Sequence, residues 1–287
     1  MKNSTYNGSG VTIDRSQVFG EKFSNVAEFY DYIESHPIKD EFKRYGEPSS
    51  IDGSWEWTGT RSYEDATSLL LNGDTDAKRL IDGSGVAANM RQVNRVETQR
   101  TTVLAPCGFL PHVPNFLAGR PNNMIAERVT IKRKKVINVA YNIAALGSAS
   151  STDMLNAAIN VLNAILRCEA GGLRINLWAV AISSSHKNYA VTAVRIKDSR
   201  QYIDVMKMAY PMTNPSMFRR HIFRFREVLP DLPTSFADGY GCTVSDVDIM
   251  HACLEHLNID VDAVFGFYQA NSMSQEQIMD LITQVNK

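Results

Sequence analysis

The sequence lacks the features that mark membrane-spanning, secreted and strongly charged proteins. No apolar run among its 287 residues approaches the roughly 20 residues that a membrane helix needs. The polar first residues, MKNSTYNGSGVTIDR, contain no apolar segment of a signal peptide. The formal net charge of −1 provides no overall attraction to nucleic acid or to an acidic membrane. We therefore expect a cytoplasmic protein that does not associate with membranes.

Cysteine pairs and catalytic motifs are also missing. The four cysteines, Cys107, Cys168, Cys242 and Cys253, form no C-x-x-C pair, so we expect free thiols and no structural zinc site. The chain contains neither a G-x-S-x-G nucleophile elbow nor a G-x-x-x-x-G-K-[ST] phosphate loop. These absences favour a protein that is not an enzyme and that holds no cofactor or metal.

The clearest pattern that is present lies between residues 132 and 182. The apolar run Val136–Tyr141 leads into a loop of small residues, Ala145–Asp153, and then into a helical pattern that ends near Glu169. A second apolar run, Leu173–Ile182, follows. Two buried strands joined through a helix predict a βαβ unit, and ligands of such sheets usually bind at the carboxyl ends of the strands.

Strands and helices alternate through the second half of the chain, which predicts an α/β, Rossmann-like core. The first half instead shows isolated helix signals, such as the cap Ser62 followed by an apolar stripe and Gly73. We therefore expect an α/β core domain at residues 126–287. An N-terminal α+β region at residues 1–125 would elaborate it.

A proline-rich stretch, Pro106–Met124, holds four prolines and two glycines in nineteen residues. This composition excludes a regular helix or a central strand. Its apolar residues predict an ordered, packed loop that suits a rigid protein contact. The candidate protein-binding residues are Phe109, Leu110, Val113, Phe116 and Arg120.

Arginine and phenylalanine alternate in MFRRHIFRFREVL, residues 217–229, which fits either a strand or a helix. Basic groups beside aromatic rings can bind single-stranded nucleic acid through phosphate pairing and base stacking. The candidate nucleic-acid-binding residues are Arg219, Arg220, Arg224, Arg226 and Phe225. A segment with one aromatic core face and one solvated face would show the same pattern, and the near-zero net charge favours that interpretation.

The loop at residues 147–153 places hydroxyls and backbone N–H groups at a helix N-terminus. A strand that runs into a serine-rich loop and a long helix resembles the von Willebrand factor A fold. In that family the loop carries an Asp-x-Ser-x-Ser metal site. Here Asn142 stands near the place of the aspartate and the motif is absent, so the resemblance implies a degenerate, metal-free version. A metal-dependent domain remains an alternative, as does simple capping of the helix by Ser151 or Thr152.

Two segments, Gly53–Gly73 and Gly108–Met124, resemble blocks of uncharacterised bacteriophage and prophage proteins. The likeness rests on a Trp-x-Gly-Thr turn with its following helix and on a Pro-x-Val-Pro…Gly-x-Pro loop. It implies a viral origin. Small phage proteins without an enzyme motif are often interaction proteins, including inhibitors of host anti-phage defence such as Gabija. We therefore predict a non-enzymatic protein that binds a host or phage protein by occlusion and that forms homo-oligomers.

Overall fold

The structure is a computed structural model that describes residues 13–14, 17–43, 55–83, 98–131, 136–201 and 203–284. The chain forms two compact units. The main unit consists of residues 1–93 and 136–287, and the small unit consists of residues 94–135. This division differs from the expected boundary between residues 125 and 126. The N-terminal residues join the α/β core because a strand near the start of the chain pairs within its sheet.

The described strands are numbered in chain order. They are β1 (Val18–Phe23), β2 (Thr98–Ala105), β3 (Leu110–Pro111), β4 (Met124–Ile131), β5 (Val136–Asn142), β6 (Arg174–Ser185), β7 (Asn188–Lys197), β8 (Cys242–Thr243) and β9 (Ala263–Gly266). The main unit contains a six-stranded sheet of order β1-β7-β6-β5-β9, with β8 paired to β6. Strand β5 is parallel to both β6 and β9, β1 is parallel to β7, and β6 is antiparallel to β7.

The described helices surround this sheet or belong to the small unit. They are α1 (Val26–Ser35), α2 (Asp40–Lys43), α3 (Trp55–Thr58), α4 (Tyr63–Asn72), α5 (Thr75–Gly83), α6 (Val113–Leu117), α7 (Ser151–Ala170), α8 (Val205–Thr213), α9 (Phe223–Val228), α10 (Val247–His256), α11 (Phe267–Ser272) and α12 (Gln275–Gln284). A π-helix, Met217–Ile222, directly precedes α9, and a 3₁₀ turn spans Thr234–Phe236. Strands alternating with helices around a mostly parallel sheet confirm the predicted α/β, Rossmann-like class.

The predicted βαβ unit is present as β5, α7 and β6. Helix α7 buries one long apolar face in the core, including Met154, Val161 and Ile165. Its N-cap is Ser150, not Ser151 or Thr152 as expected, because the Ser150 hydroxyl accepts the Asp153 N–H at 3.1 Å. Strands β5 and β6 and the helix between them are all largely buried, which explains why each of the three consists mostly of apolar residues.

Residues 55–58 form the short helix α3. Helix α8 begins at Val205, after the N-cap Asp204, and continues through Pro211. Its last turn is buried, and this packing offsets the hydrogen bond that proline cannot make.

The small unit is a three-stranded antiparallel sheet of order β2-β4-β3 with the one-turn helix α6. Strand β3 is only two residues long and lies at an edge, where proline is tolerated. Gly108 is required beside it, since a Cβ there would lie 2.1 Å from the carbonyl oxygen of Ile125. The proline-rich stretch is therefore ordered, as predicted.

No helix in the described ranges is both long and apolar enough to cross a membrane.

Candidate functional site

The candidate protein-binding residues lie together in the small unit, and their side chains face solvent. The exposed fraction is 70% for Phe109, 52% for Leu110, 59% for Val113 and 61% for Phe116, and Arg120 is also exposed. The expectation of a packed loop was wrong on this point. Backbone hydrogen bonds hold the stretch in its conformation, and its apolar side chains remain exposed to solvent.

Backbone hydrogen bonds fix the shape of this stretch. Phe109 N–H donates to the Ile125 carbonyl at 2.9 Å, and His112 N–H donates to the Asn123 carbonyl at 2.7 Å. The Asn115 side chain donates to the Asn122 carbonyl at 3.0 Å. Proline rings add further restriction of the backbone. A segment that is ordered before it binds loses little conformational entropy on association.

The strand pairing extends the exposed apolar surface across one face of the sheet. Leu104 and Leu110 both pair with Ile125, on either side of β4, so the three side chains project to the same face. Val129 lies on this face too, and it is 53% exposed. None of the side chains from residue 100 to residue 129 is fully buried. A small sheet with one uncovered apolar face gains little stability by itself.

The candidate nucleic-acid-binding residues lie in the core of the main unit. Arg219, Arg220, Arg226 and Phe225 are at most 1% exposed. The Arg224 side chain is 15% exposed and contacts Glu227 at 3.5 Å. A buried guanidinium cannot reach a phosphate, so the proposal of a nucleic-acid interface at this segment is corrected. The π-helix and α9 carry these arginines inward.

The buried arginines join distant segments through backbone carbonyls. The Arg219 guanidinium donates to the carbonyl of Trp57 and, at 3.2 Å, to that of Leu146, and it lies 4.4 Å from the Trp57 ring centre. Arg226 donates to the Tyr240 carbonyl at 2.8 Å. Burial lowers the pKa of Arg219 to about 10 and that of Arg226 to about 9. Both arginines remain charged at neutral pH and act as internal clamps.

The loop after β5 is arranged around Asn142. This side chain is fully buried, and its carbonyl oxygen accepts the N–H groups of Ala144 at 3.1 Å and Ile182 at 3.2 Å. Its amide group donates to the Val244 carbonyl at 3.1 Å. The carbonyl oxygen and the amide group of Asn142 are thus both engaged by backbone groups. In the part of the chain that the structure describes, no cluster of three His, Cys, Asp or Glu residues could hold a metal ion.

Sequence reasoning missed an exposed aromatic patch in the main unit, defined by Trp55, Trp57, Leu146 and Tyr268. These side chains are 60%, 38%, 50% and 39% exposed, respectively. Trp57 donates its indole N–H to the Gly147 carbonyl at 2.9 Å, and Leu146 N–H donates to the Tyr268 hydroxyl at 3.0 Å. The patch lies beyond the carboxyl ends of β5 and β9. Two tryptophans in a polar turn were the only local signal for it.

A cleft of about 830 Å³, lined by both polar and apolar side chains, lies at the carboxyl ends of β1 and β7. Three of its charged groups pair with one another: Asp198 receives hydrogen bonds from Arg200 at 3.0 and 3.1 Å and lies 3.4 Å from Arg195. The hydrogen bonds from Arg200 lower the pKa of Asp198 to about 2. This internal pairing leaves the two exposed apolar surfaces as the stronger candidates for a binding site.

These features define an α/β protein with a mixed, mostly parallel sheet and a separate small unit that exposes apolar side chains. The chain belongs to the family described as "Domain of unknown function (DUF7192)", whose sequence model matches residues 6–284. The matched range includes the small unit. No curated protein matches the chain, and no solved structure matches it.

Proposed function

We propose that this chain is a protein-binding protein whose contact surface is the apolar surface of the small unit. One observation carries the proposal. No side chain from residue 100 to residue 129 is fully buried. Seven large apolar side chains there are between 44% and 79% exposed: Leu104, Phe109, Leu110, Val113, Phe116, Leu117 and Val129. Large uncovered apolar patches on folded proteins mark interaction sites.

The size of this surface fits a specific complex. The seven side chains expose on the order of 700 Å², against roughly 800 Å² that each partner buries in an interface of standard size. Two phenylalanines supply the aromatic anchors that dominate the energy of such interfaces. In this role the chain performs no catalytic step.

The test is a pull-down from host cells with matched variants. We expect the tagged chain to recover a stoichiometric partner and Phe116→Ser to lose it, because the anchor in the interface is removed. The control is Leu80→Ser in α5, since Leu80 is a comparably exposed apolar residue, at 55%, in the main unit. Recovery of no stoichiometric partner, or equal recovery by Phe116→Ser, would contradict the proposal.

The resemblance to bacteriophage proteins supports a finer proposal. The chain would be phage-encoded, act in the host cytoplasm, and inhibit a host defence complex such as Gabija by occluding it. Expression in cells that carry the defence system should then restore plaque formation, and Phe116→Ser should abolish the effect. If plaque counts on defended cells do not change when the wild-type chain is expressed, this finer proposal is rejected.

We also propose that β5, the following loop and α7 are a metal-free relative of the von Willebrand factor A fold. The commitment of Asn142 to backbone groups supports this reading. Residues 142–153 contain one carboxylate, Asp153, and it accepts a hydrogen bond from the Ser150 hydroxyl at 2.7 Å. Heat of binding in calorimetry with Mg²⁺, Mn²⁺ or Ca²⁺ would refute it.

A further inference from the structure

Charge is divided unequally between the two units. Residues 94–135 contain eight Lys or Arg and two Asp or Glu, a formal charge of +6. The rest of the chain contains 22 Lys or Arg and 29 Asp or Glu, a formal charge of −7. Among the residues that the structure describes, burial removes basic and acidic side chains of the main unit in nearly equal numbers: Lys197, Arg219, Arg220 and Arg226 against Asp74, Glu169 and Glu227. The two units therefore carry formal charges of opposite sign, which the near-zero net charge of the whole chain hides.

The aromatic patch of the main unit offers a matching receptor. Beside Trp55 lies a hollow of about 420 Å³, lined also by Thr60, Arg61 and Asp65. Asp153 stands exposed at the end of the loop that carries Leu146. The patch thus combines exposed aromatic rings with a hollow whose lining carries the carboxylate of Asp65 and the guanidinium of Arg61.

We propose that the small unit of one copy docks on the aromatic patch of a second copy. This inference rests on the proposed function, because it uses the same apolar surface and names its partner as another molecule of this chain. Phe116 and Leu117 enter the hollow beside Trp55, and the basic residues of the small unit face the acidic main unit. Both halves of the contact, apolar and electrostatic, are complementary between copies.

Such a contact is heterologous, because its two sides are different parts of the chain. The apolar surface of the small unit is the donor surface, and the aromatic patch of the main unit is the receptor surface. Each added copy leaves one free donor and one free receptor, so the assembly grows into a closed ring or an open chain. Opposite formal charges also make the association stronger at low salt than at high salt. A symmetric contact between two small units, both basic, would show the reverse dependence on salt.

The experiment measures mass by light scattering from micromolar to hundred-micromolar concentration. We expect the wild-type mass to rise with concentration and to fall again in high salt. Phe116→Asp removes the donor and Trp55→Asp removes the receptor. Each change should weaken self-association on the order of thirtyfold, as expected for the loss of a central aromatic anchor. Leu80→Asp serves as the control and should behave as wild type, and circular dichroism checks that every variant is folded.

Mixing the two defective variants is the decisive measurement. Trp55→Asp keeps an intact donor and Phe116→Asp keeps an intact receptor, so the equimolar mixture should form dimers and nothing larger. A monomeric wild type, a mixture that stays monomeric, or unchanged association of Trp55→Asp would each overturn the inference. Binding of oligo(dT) by the small unit in place of self-association would also overturn it.

The proposed function is distinguished by the pull-down. A monomeric chain that still captures another protein through Phe116 refutes self-docking and leaves the proposed function standing. Loss of self-association by Phe116→Asp, together with recovery of an external partner by that same variant, refutes the proposed function for that partner and supports self-docking.

Discussion

His221 makes the stability of the main unit depend on pH in a calculable way. The imidazole is fully buried, with Nδ1 2.8 Å from the Tyr210 hydroxyl and Nε2 3.4 Å from the Thr67 hydroxyl. Burial, and then the positive charges of Arg220 and Arg224, lower the pKa of His221 to about 3. The folded protein therefore holds this imidazole neutral, while the unfolded chain titrates near its ordinary pKa of about 6.5.

Whether the protein gains or loses stability as the pH falls depends on which state, folded or unfolded, binds the proton. Between pH 6.5 and pH 3, taken from the two pKa values, the unfolded state binds a proton that the folded state refuses. The free energy of unfolding is therefore fully retained above about pH 6.5 and falls by about 1.4 kcal/mol for each pH unit below it. At about pH 5 this one residue lowers the free energy of unfolding by about 2 kcal/mol.

Urea unfolding at about pH 7 and about pH 5 measures the effect, followed by tryptophan fluorescence. His221→Gln removes the titrating group, so its stability should fall by about 2 kcal/mol less than wild type over that interval. Burial also lowers the pKa of His251, but that residue titrates in both proteins and cancels in the comparison. His186→Asn, at an exposed position with φ of 57°, is the control and should keep the wild-type dependence. Identical pH dependence in wild type and His221→Gln would refute the reasoning.

Two further predictions concern the buried charges. Replacing Arg219 by Met removes its hydrogen bonds to three carbonyls and should lower the free energy of unfolding by roughly 2–4 kcal/mol. A red shift of tryptophan emission, as Trp57 loses its guanidinium contact, is the readout, and unchanged emission with unchanged stability would contradict the clamp. Lys197→Met leaves Glu169 buried without the ammonium 2.5 Å away and should cost about 3–5 kcal/mol in urea unfolding. Adding Glu169→Gln should recover much of that loss, and a double variant no more stable than the single one would argue against the pair.

The sequence predicted those parts of the fold that depend on local pattern. Periodic apolar residues located β5, α7 and β6, and the Ser62 cap with Gly73 located α4. Proline and glycine content identified the ordered loop of the small unit. These features are visible in sequence because helix periodicity, capping and turn chemistry depend on neighbours within a few residues.

The pairing of β1 with β7 was not visible in the same way. The two strands are separated by more than 160 residues, and the register Val18↔Tyr189 joins the start of the chain to the core sheet. No local signal distinguishes a strand that pairs nearby from one that pairs across such a distance. The expected domain boundary near residue 125 therefore did not anticipate that the main unit is built from both ends of the chain.

For the two candidate interfaces, tertiary structure alone decides which side chains are buried and which face solvent. The arginine–phenylalanine segment reads as a basic surface, yet its arginines are buried, and the carbonyls of Trp57, Leu146 and Tyr240 accept hydrogen bonds from Arg219 and Arg226 in the core. The proline-rich loop reads as packed, yet nothing in the small unit covers its apolar side chains in residues 100–129. Composition determined which residues have apolar or charged side chains. Whether each is buried depends on partners distant in sequence, because a buried charge is tolerated only where such partners satisfy it.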